Sequence, residues 1–325
     1  MSHAIRVHAV GGPEVLKWEA VEPPPPGPGE VQLEHRAIGL NFIDVYHRTG
    51  LYPLPLPFTP GQEGAGVVTA VGAGVATLQV GQRVAYAGLA GAYAERRNAP
   101  AERLVHLPDD VEFATAAAVM LKGMTAEFLL KRCRPVGPGD TIVFHAAAGG
   151  VGQLACQWAK HLGARVIGVV GHRDKASLAQ AAGCDAVVTL GEEDLVARVQ
   201  ALTGGGGAHV VYDSVGKDTL LASLDCLAPR GMLVSFGQSS GKPPPVELAQ
   251  LGGLRSLYLT RPSLFAYIAT RPELEASAAA LFAAIRRGVV KVAPPRTFSL
   301  SAAAEAHRAL EARETTGSVV LLPGG

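Results

Sequence analysis

The chain has 325 residues, 48 % of them hydrophobic and 18 % charged, with a formal net charge of +1. That is enough apolar material for two cores, and it excludes a fibrous or low-complexity class. Near-neutrality excludes the long-range basic field of a nucleic-acid binder and the acidic tail of a charge-driven adaptor, so a small molecule is the expected partner.

The first residues, "MSHAIRVHAV", lack an apolar core of signal-peptide length, and no run reads as a membrane span; a cytoplasmic location is expected. "AIRVHAV", "EVQLEHRAIGL", "GAGVVTAVG" and "GQRVAYAG" read as short β segments punctuated by glycine and proline. Between them, "EPPPPGPGE" is too rich in proline for a regular element and reads as a rigid surface connection. From about residue 139 the texture changes. "DTIVFHAA", "ARVIGVVG", "AVVTL", "HVVYDSV", "GMLVSFG" and "SLYLT" are apolar runs, and 151–163, 174–182, 192–203 and 217–228 carry apolar residues at helical spacing between them. Strands buried on both faces and joined by helices predict a doubly wound parallel sheet. Near residue 288 the pattern becomes strand, helix, strand and can return to the first lobe, so the β-rich part is expected to be discontinuous: 1–116 with 287–325, around a nucleotide unit at 117–286.

Four cysteines, Cys133, Cys156, Cys184 and Cys226, show no paired spacing, which argues against a disulfide framework and a structural zinc site. With 21 arginines to 8 lysines and only 2 asparagines, the composition leans toward heat adaptation, a bias that a GC-rich genome also produces.

"AAGGVG" follows an apolar strand and opens a helix, the context that gives a dinucleotide fingerprint its meaning. Ala147 stands at the first glycine position, Gly149 lets backbone approach a pyrophosphate, and Gly152 lets helix and strand pack closely. Gly150 and Val151 complete the turn, and the anion is expected at the helix N-terminus. After the second strand, where an NAD site presents an acid to the ribose, the residues are Gly171, His172, Arg173, Asp174 and Lys175. Cations opposing a helix dipole suggest a bound anion. A 2′-phosphate satisfies them and selects NADPH, although Asp174 could cap the helix instead and leave fewer cations for the phosphate. His145, just before the turn, reads as a strand-end packing residue rather than a proton donor.

"NFIDVYHRTGLYPLPLPFTPGQEGAGVVTAVG", "LKGMTAEFLL", the glycine turn, "VVYDSVG", "GMLVSFGQSSG" and "SLYLTRPSL" together resemble the zinc-free, NADPH-dependent quinone oxidoreductase branch of the medium-chain dehydrogenase/reductases, the branch that includes zeta-crystallin. The resemblance runs over nearly the whole chain. It implies a GroES-like β-rich catalytic domain plus a Rossmann α/β domain, an active site between them, and a homodimer through the edge strand at 256–260. Zinc-dependent relatives place a cysteine and a histidine where this chain has Asn41 and Gln62, neither of which is a competent zinc ligand, so no metal is expected.

Without a Lewis acid the acceptor must already be electrophilic, such as a quinone. Catalysis then reduces to hydride proximity and hydrogen bonds to developing oxyanion charge. The resemblance implies Asn41, Asp44, Tyr46 and Tyr52 near the substrate, with Arg261 as a further donor; packed core tyrosines are the plainer reading of Tyr46 and Tyr52. It also implies Thr125 near the nicotinamide, Ser235, Phe236 and Gly237 along the cofactor path, and Arg313 beside it. Close relatives carry a tyrosine after the third strand, where this chain has Leu190 or Gly191. An NADPH-dependent reductase of α,β-unsaturated carbonyls is the alternative within enzymes. An RNA-binding or structural role, as for crystallin relatives, is disfavoured by the neutral charge.

Overall fold

The computed structural model describes residues 1–324. The chain divides into two compact units, one of residues 1–124, 268–281 and 292–325, the other of 125–267 and 282–291.

The first unit begins with a two-stranded antiparallel ribbon, β1 (His3–Arg6) and β2 (Lys17–Ala20). Then come β3 (Glu30–Leu40), α1 (Phe42–Arg48), β4 (Glu63–Val71), β5 (Arg83–Ala87), β6 (Arg96–Pro100), β7 (Val105–His106) and α2 (Phe113–Phe128). β3 alternates as its sequence predicts: Val31, Leu33 and His35 point inward, and the strand is buried on both faces near its end. The proline-rich stretch at 22–28 forms no regular element. The β segments of the first third are present, and α1 stands between β3 and β4. Its start is set by Asn41 in extended conformation, whose N–H donates to the Asp44 carboxylate at 2.9 Å while Asp44 N–H returns to the Asn41 carbonyl at 3.0 Å.

One expectation is corrected. The helical run Phe113–Cys133 is long and apolar enough to cross a membrane by length and composition, against the reading that no segment is. It is apolar because it is a core helix: Ala116–Met120 and Phe128–Leu130 are buried within the protein.

The second unit contains β8 (Thr141–His145), α3 (Gly150–His161), β9 (Arg165–Val170), α4 (Ala176–Ala181), β10 (Ala186–Thr189), α5 (Leu195–Leu202), β11 (Ala208–Asp213), α6 (Leu220–Asp225), β12 (Leu227–Ser235), α7 (Leu248–Leu251), β13 (Tyr258–Thr260) and α8 (Leu264–Tyr267). Its six strands are all parallel in the order β10-β9-β8-β11-β12-β13, the doubly wound arrangement predicted from the alternating apolar runs. α9 (Arg271–Arg286), like α2, is shared by the two units. The chain ends with β14 (Arg296–Ser299), α10 (Ala303–Glu311) and β15 (Val319–Leu322). β15 pairs with β3 in a seven-stranded sheet, six strands of which run in the order β14-β15-β3-β4-β5-β7 while β6 also pairs with β3. The C-terminus thus returns to the sheet of the first unit, as its strand-helix-strand pattern implied.

Candidate active site

In the second unit, the strand order reverses between β8 and β11, and the crevice beyond their carboxyl ends is where open α/β sheets take ligands. Both strand ends are tied there. The fully buried Asp213 accepts from Val215 N–H at 2.8 Å, Gly216 N–H at 3.0 Å, the Thr219 hydroxyl at 2.7 Å and the Ser223 hydroxyl at 2.8 Å. His145 Nε2 meets Ser223 Oγ at 2.9 Å. His145 is therefore a buried residue at the strand end, held in a polar network with its pKa lowered by burial.

The turn after β8 passes through Ala146 with φ of 51°, and Gly149 caps α3 in extended conformation. The helix geometry leaves the N–H groups of Gly150, Val151 and Gly152 without intrahelical acceptors. A Cβ on Gly152 would lie 2.3 Å from the Ala146 carbonyl and 2.7 Å from Ala147 Cα, so only glycine lets α3 start this close to the turn. A Cβ on Gly149 would meet the Ala146 carbonyl at 3.1 Å and the Ala146 Cβ at 3.8 Å, and one on Gly171 nothing within 4 Å. Close backbone, free N–H groups and open space at the next strand end fit a dinucleotide.

His172 and Arg173 are exposed, with Arg173 through Lys175 forming one 3₁₀ turn before α4. Asp174 lies inside that turn, and the caps are His172 for the turn and Lys175 for α4. A residue absent from the sequence reading enters here: Glu192 pairs with Arg173 at 2.6 Å from the loop after β10, where Leu190 and Gly191 also lie. Arg261 donates to Ser235 Oγ at 3.3 Å and to Gln238 Oε1 at 3.0 Å, which holds it at the end of β12. Phe236 follows, packed on Phe144, and Gly237 abuts Ser214, whose carbonyl a Cβ would meet at 2.7 Å.

In the first unit, α1 gathers Asn41, Asp44, Tyr46 and Tyr52. Tyr46 and Tyr52 are half-buried and stack edge to face at 5.2 Å. Beneath them the polar side chains are buried. Asn41 Nδ2 donates to Glu63 Oε1 at 2.8 Å, Lys122 Nζ donates to the same oxygen at 2.8 Å, and Leu121 N–H donates to Glu63 Oε2 at 2.6 Å. Asp44 Oδ2 accepts from the Tyr93 hydroxyl at 3.0 Å, while Asp44 Oδ1 is buried without a partner. Tyr93 Oη in turn meets His307 Nε2 at 3.1 Å. Arg48, buried, donates to His307 Nδ1 at 3.1 Å and to both Glu311 oxygens at 2.8 Å. Burial pushes the Asp44 carboxyl up to about 7, with Glu63 adding and the Asn41 and Tyr93 donors opposing. His307 is pushed down to about 3 by burial and then by Arg48.

Gln62 is buried with its amide 3.5 Å from His47 Nδ1. A zinc ion does not fit this donor set. Asn41 presents an N–H to Glu63, an ammonium occupies the rest of that carboxylate oxygen, and among the described residues no group of three or more His, Cys, Asp or Glu side chains could hold a metal. Sequence reasoning missed Glu63, Lys122, Tyr93, His307 and Arg48. The acid next to Gln62 in "GQE" and the N-x-x-D spacing of "NFID" were the available signals. Thr125, buried in α2, begins the second unit, and Arg313 follows α10 in the first with φ of 60°.

A β-rich unit with a capped helix of polar residues, together with a doubly wound nucleotide unit, defines the dehydrogenase/reductase class. Residues 27–109 match the alcohol dehydrogenase GroES-like domain family, and residues 150–283 the zinc-binding dehydrogenase family. The chain is 52 % identical over 325 residues to a quinone oxidoreductase of Pseudomonas aeruginosa, covering 99 % of this chain and 100 % of that one. The structure of the Escherichia coli quinone oxidoreductase complexed with NADPH superposes with a TM-score of 0.96 at 48 % identity, covering 99 % of this chain and 100 % of that chain. A 2-haloacrylate reductase of a Burkholderia species is 45 % identical over 332 residues, 99 % of each chain. The chain belongs to the quinone oxidoreductase family of these enzymes.

Proposed function

We propose that this protein is an NADPH-dependent reductase of quinones that works without a metal. The observation that carries the reading is the buried Asn41–Glu63–Lys122 set at the start of α1. It offers N–H donors where a Lewis acid would otherwise be needed, which suits an acceptor that is electrophilic already. NADPH, when bound, supplies the hydride. The turn from Ala147 to Gly152 takes its pyrophosphate, with Thr125, Ser235, Phe236, Gly237 and Arg313 lining the rest of its path. His172, Arg173 and Lys175 take the 2′-phosphate, Arg173 exchanging Glu192 for it. Such an exposed ion pair is worth at most about 1 kcal/mol, whereas a charge-assisted phosphate contact contributes about 1.5–3 kcal/mol. Asn41, Tyr46 and Tyr52 orient the quinone and donate to its oxygen as charge develops, with Asp44 beneath them.

Reduction of an α,β-unsaturated acid or carbonyl is the second reading, supported by the likeness to the 2-haloacrylate reductase. We further propose a homodimer through β13, an outer strand of its sheet on which Tyr258 is 58 % exposed.

Steady-state oxidation of NADPH and NADH with 1,4-benzoquinone, 2-hexenal and 2-chloroacrylate, each with a zinc chelator, tests the reading. Chelator-insensitive, NADPH-selective quinone turnover is expected, and Arg173→Ala lowers that selectivity by roughly 10- to 100-fold. Equal use of NADH removes the role given to the cations, and turnover of the unsaturated compounds alone selects the second reading.

A further inference from the structure

We propose that the buried Glu63–Lys122 ion pair is a positioning device that fixes the Asn41 amide as a hydrogen-bond donor toward the substrate oxygen. The proposal rests on the quinone-reductase reading, in which Asn41 faces that oxygen. An asparagine amide turned by half a rotation exchanges its donor for its acceptor, and little in its shape opposes the exchange. Here a carboxylate opposes it. Glu63 Oε1 lies 2.8 Å from Asn41 Nδ2, and an ionised carboxylate accepts only, so the amide must present N–H to it. The second N–H is then left for a ligand.

Glu63 does this only while it stays ionised in a fully buried place, and the structure surrounds it accordingly. Lys122 Nζ donates to the same oxygen at 2.8 Å, and Leu121 N–H holds the other oxygen at 2.6 Å. Gly39 gives the pair its room, since a Cβ there would stand 2.2 Å from both Glu63 Oε1 and the Ala117 carbonyl. A buried ion pair adds little stability over apolar residues of the same volume, so stability alone does not account for one placed against Asn41. Without Glu63 no acceptor faces Asn41 Nδ2 here, and the reversed amide is admitted. The other titratable groups facing Glu63 are Asp44 from α1, Tyr86 from β5 and Tyr93; of these, Asp44 is the group that changes charge near neutrality.

The test compares two pairs of substitutions that each remove both charges. Glu63→Gln with Lys122→Met keeps an amide oxygen for Asn41 N–H, and Glu63→Leu with Lys122→Met keeps none. With 1,4-benzoquinone and saturating NADPH, the Gln/Met protein is expected to turn over faster than the Leu/Met protein. The Leu/Met protein should lose on the order of 100-fold, as when one oxyanion donor is removed, at unchanged melting temperature and unchanged KM for NADPH. In an Asn41→Ala background the Leu/Met pair should cost nothing further. Equal kcat for the two pairs, or additive losses with Asn41→Ala, would overturn the proposal. A wild-type protein that turns over no quinone overturns instead the functional reading, and this inference with it.

Discussion

Asp44 is a buried carboxyl beside two cations that are engaged elsewhere: Lys122 donates to Glu63, and Arg48 is paired with Glu311. Its folded pKa of about 7 lies above the ordinary carboxylate value, so it contributes stability at low pH that is lost as pH rises through about 7. His307 and His35 act in the opposite sense. Both are held neutral with pKa values near 3, His307 by burial and Arg48, His35 by burial and Arg97. The unfolded chain binds protons at both below about pH 6.5 while the folded chain does not, so stability is lost as pH falls from there toward 3. Asp44→Asn should therefore raise the melting temperature at pH 8, where it removes a buried charge, and the gain should shrink to near zero at pH 4. A gain independent of pH would mean that Asp44 does not titrate in this range.

At the scale of the element, the glycine turn separates two roles that one motif combines. Gly152→Ala drives a Cβ into main-chain atoms of the turn, so α3 must shift at a cost of about 1–3 kcal/mol. Gly149→Ala meets the Ala146 carbonyl at 3.1 Å and should leave the melting temperature nearly unchanged while weakening NADPH binding, measured by fluorescence titration of the folded protein. Loss of stability in Gly149→Ala comparable to that in Gly152→Ala would defeat this division. The turn was legible because its residues are adjacent and its context, apolar strand then helix, is local. The alternating strands and helices that set the parallel sheet were legible for the same reason. The network beneath α1 was not. Lys122 lies 59 residues from Glu63, and Glu311 lies 263 from Arg48, separations across which no periodicity carries information. Asn41 and Asp44 were picked out by family resemblance, yet their spacing also encoded the helix start that holds them. Glu192 escaped notice because its partner Arg173 is reached only once β9 and β10 lie side by side.

For the whole molecule, the open question is assembly, and it turns on one edge of the parallel sheet. β10 and β13 end the strand order, and β13 is short, pairs through Tyr258, Leu259 and Thr260 with β12, and among the described residues has no neighbouring strand on its other side. Leu259 is 37 % exposed, and Leu248 and Leu254, in the segment leading to β13, are 84 % and 101 % exposed. A strand edge with apolar side chains is a template for pairing unless something covers it. A second copy meeting it across a two-fold axis would cover both edges at once, residue for residue, in a closed assembly. Light scattering at micromolar concentration should then give twice the chain mass for the wild type and the single mass for Leu259→Lys, which places like charges opposite each other across the axis. NADPH affinity should survive the substitution, since the glycine turn follows β8 rather than β13. A wild type that elutes at the single mass, or a Leu259→Lys protein still at twice that mass, would exclude pairing through this strand.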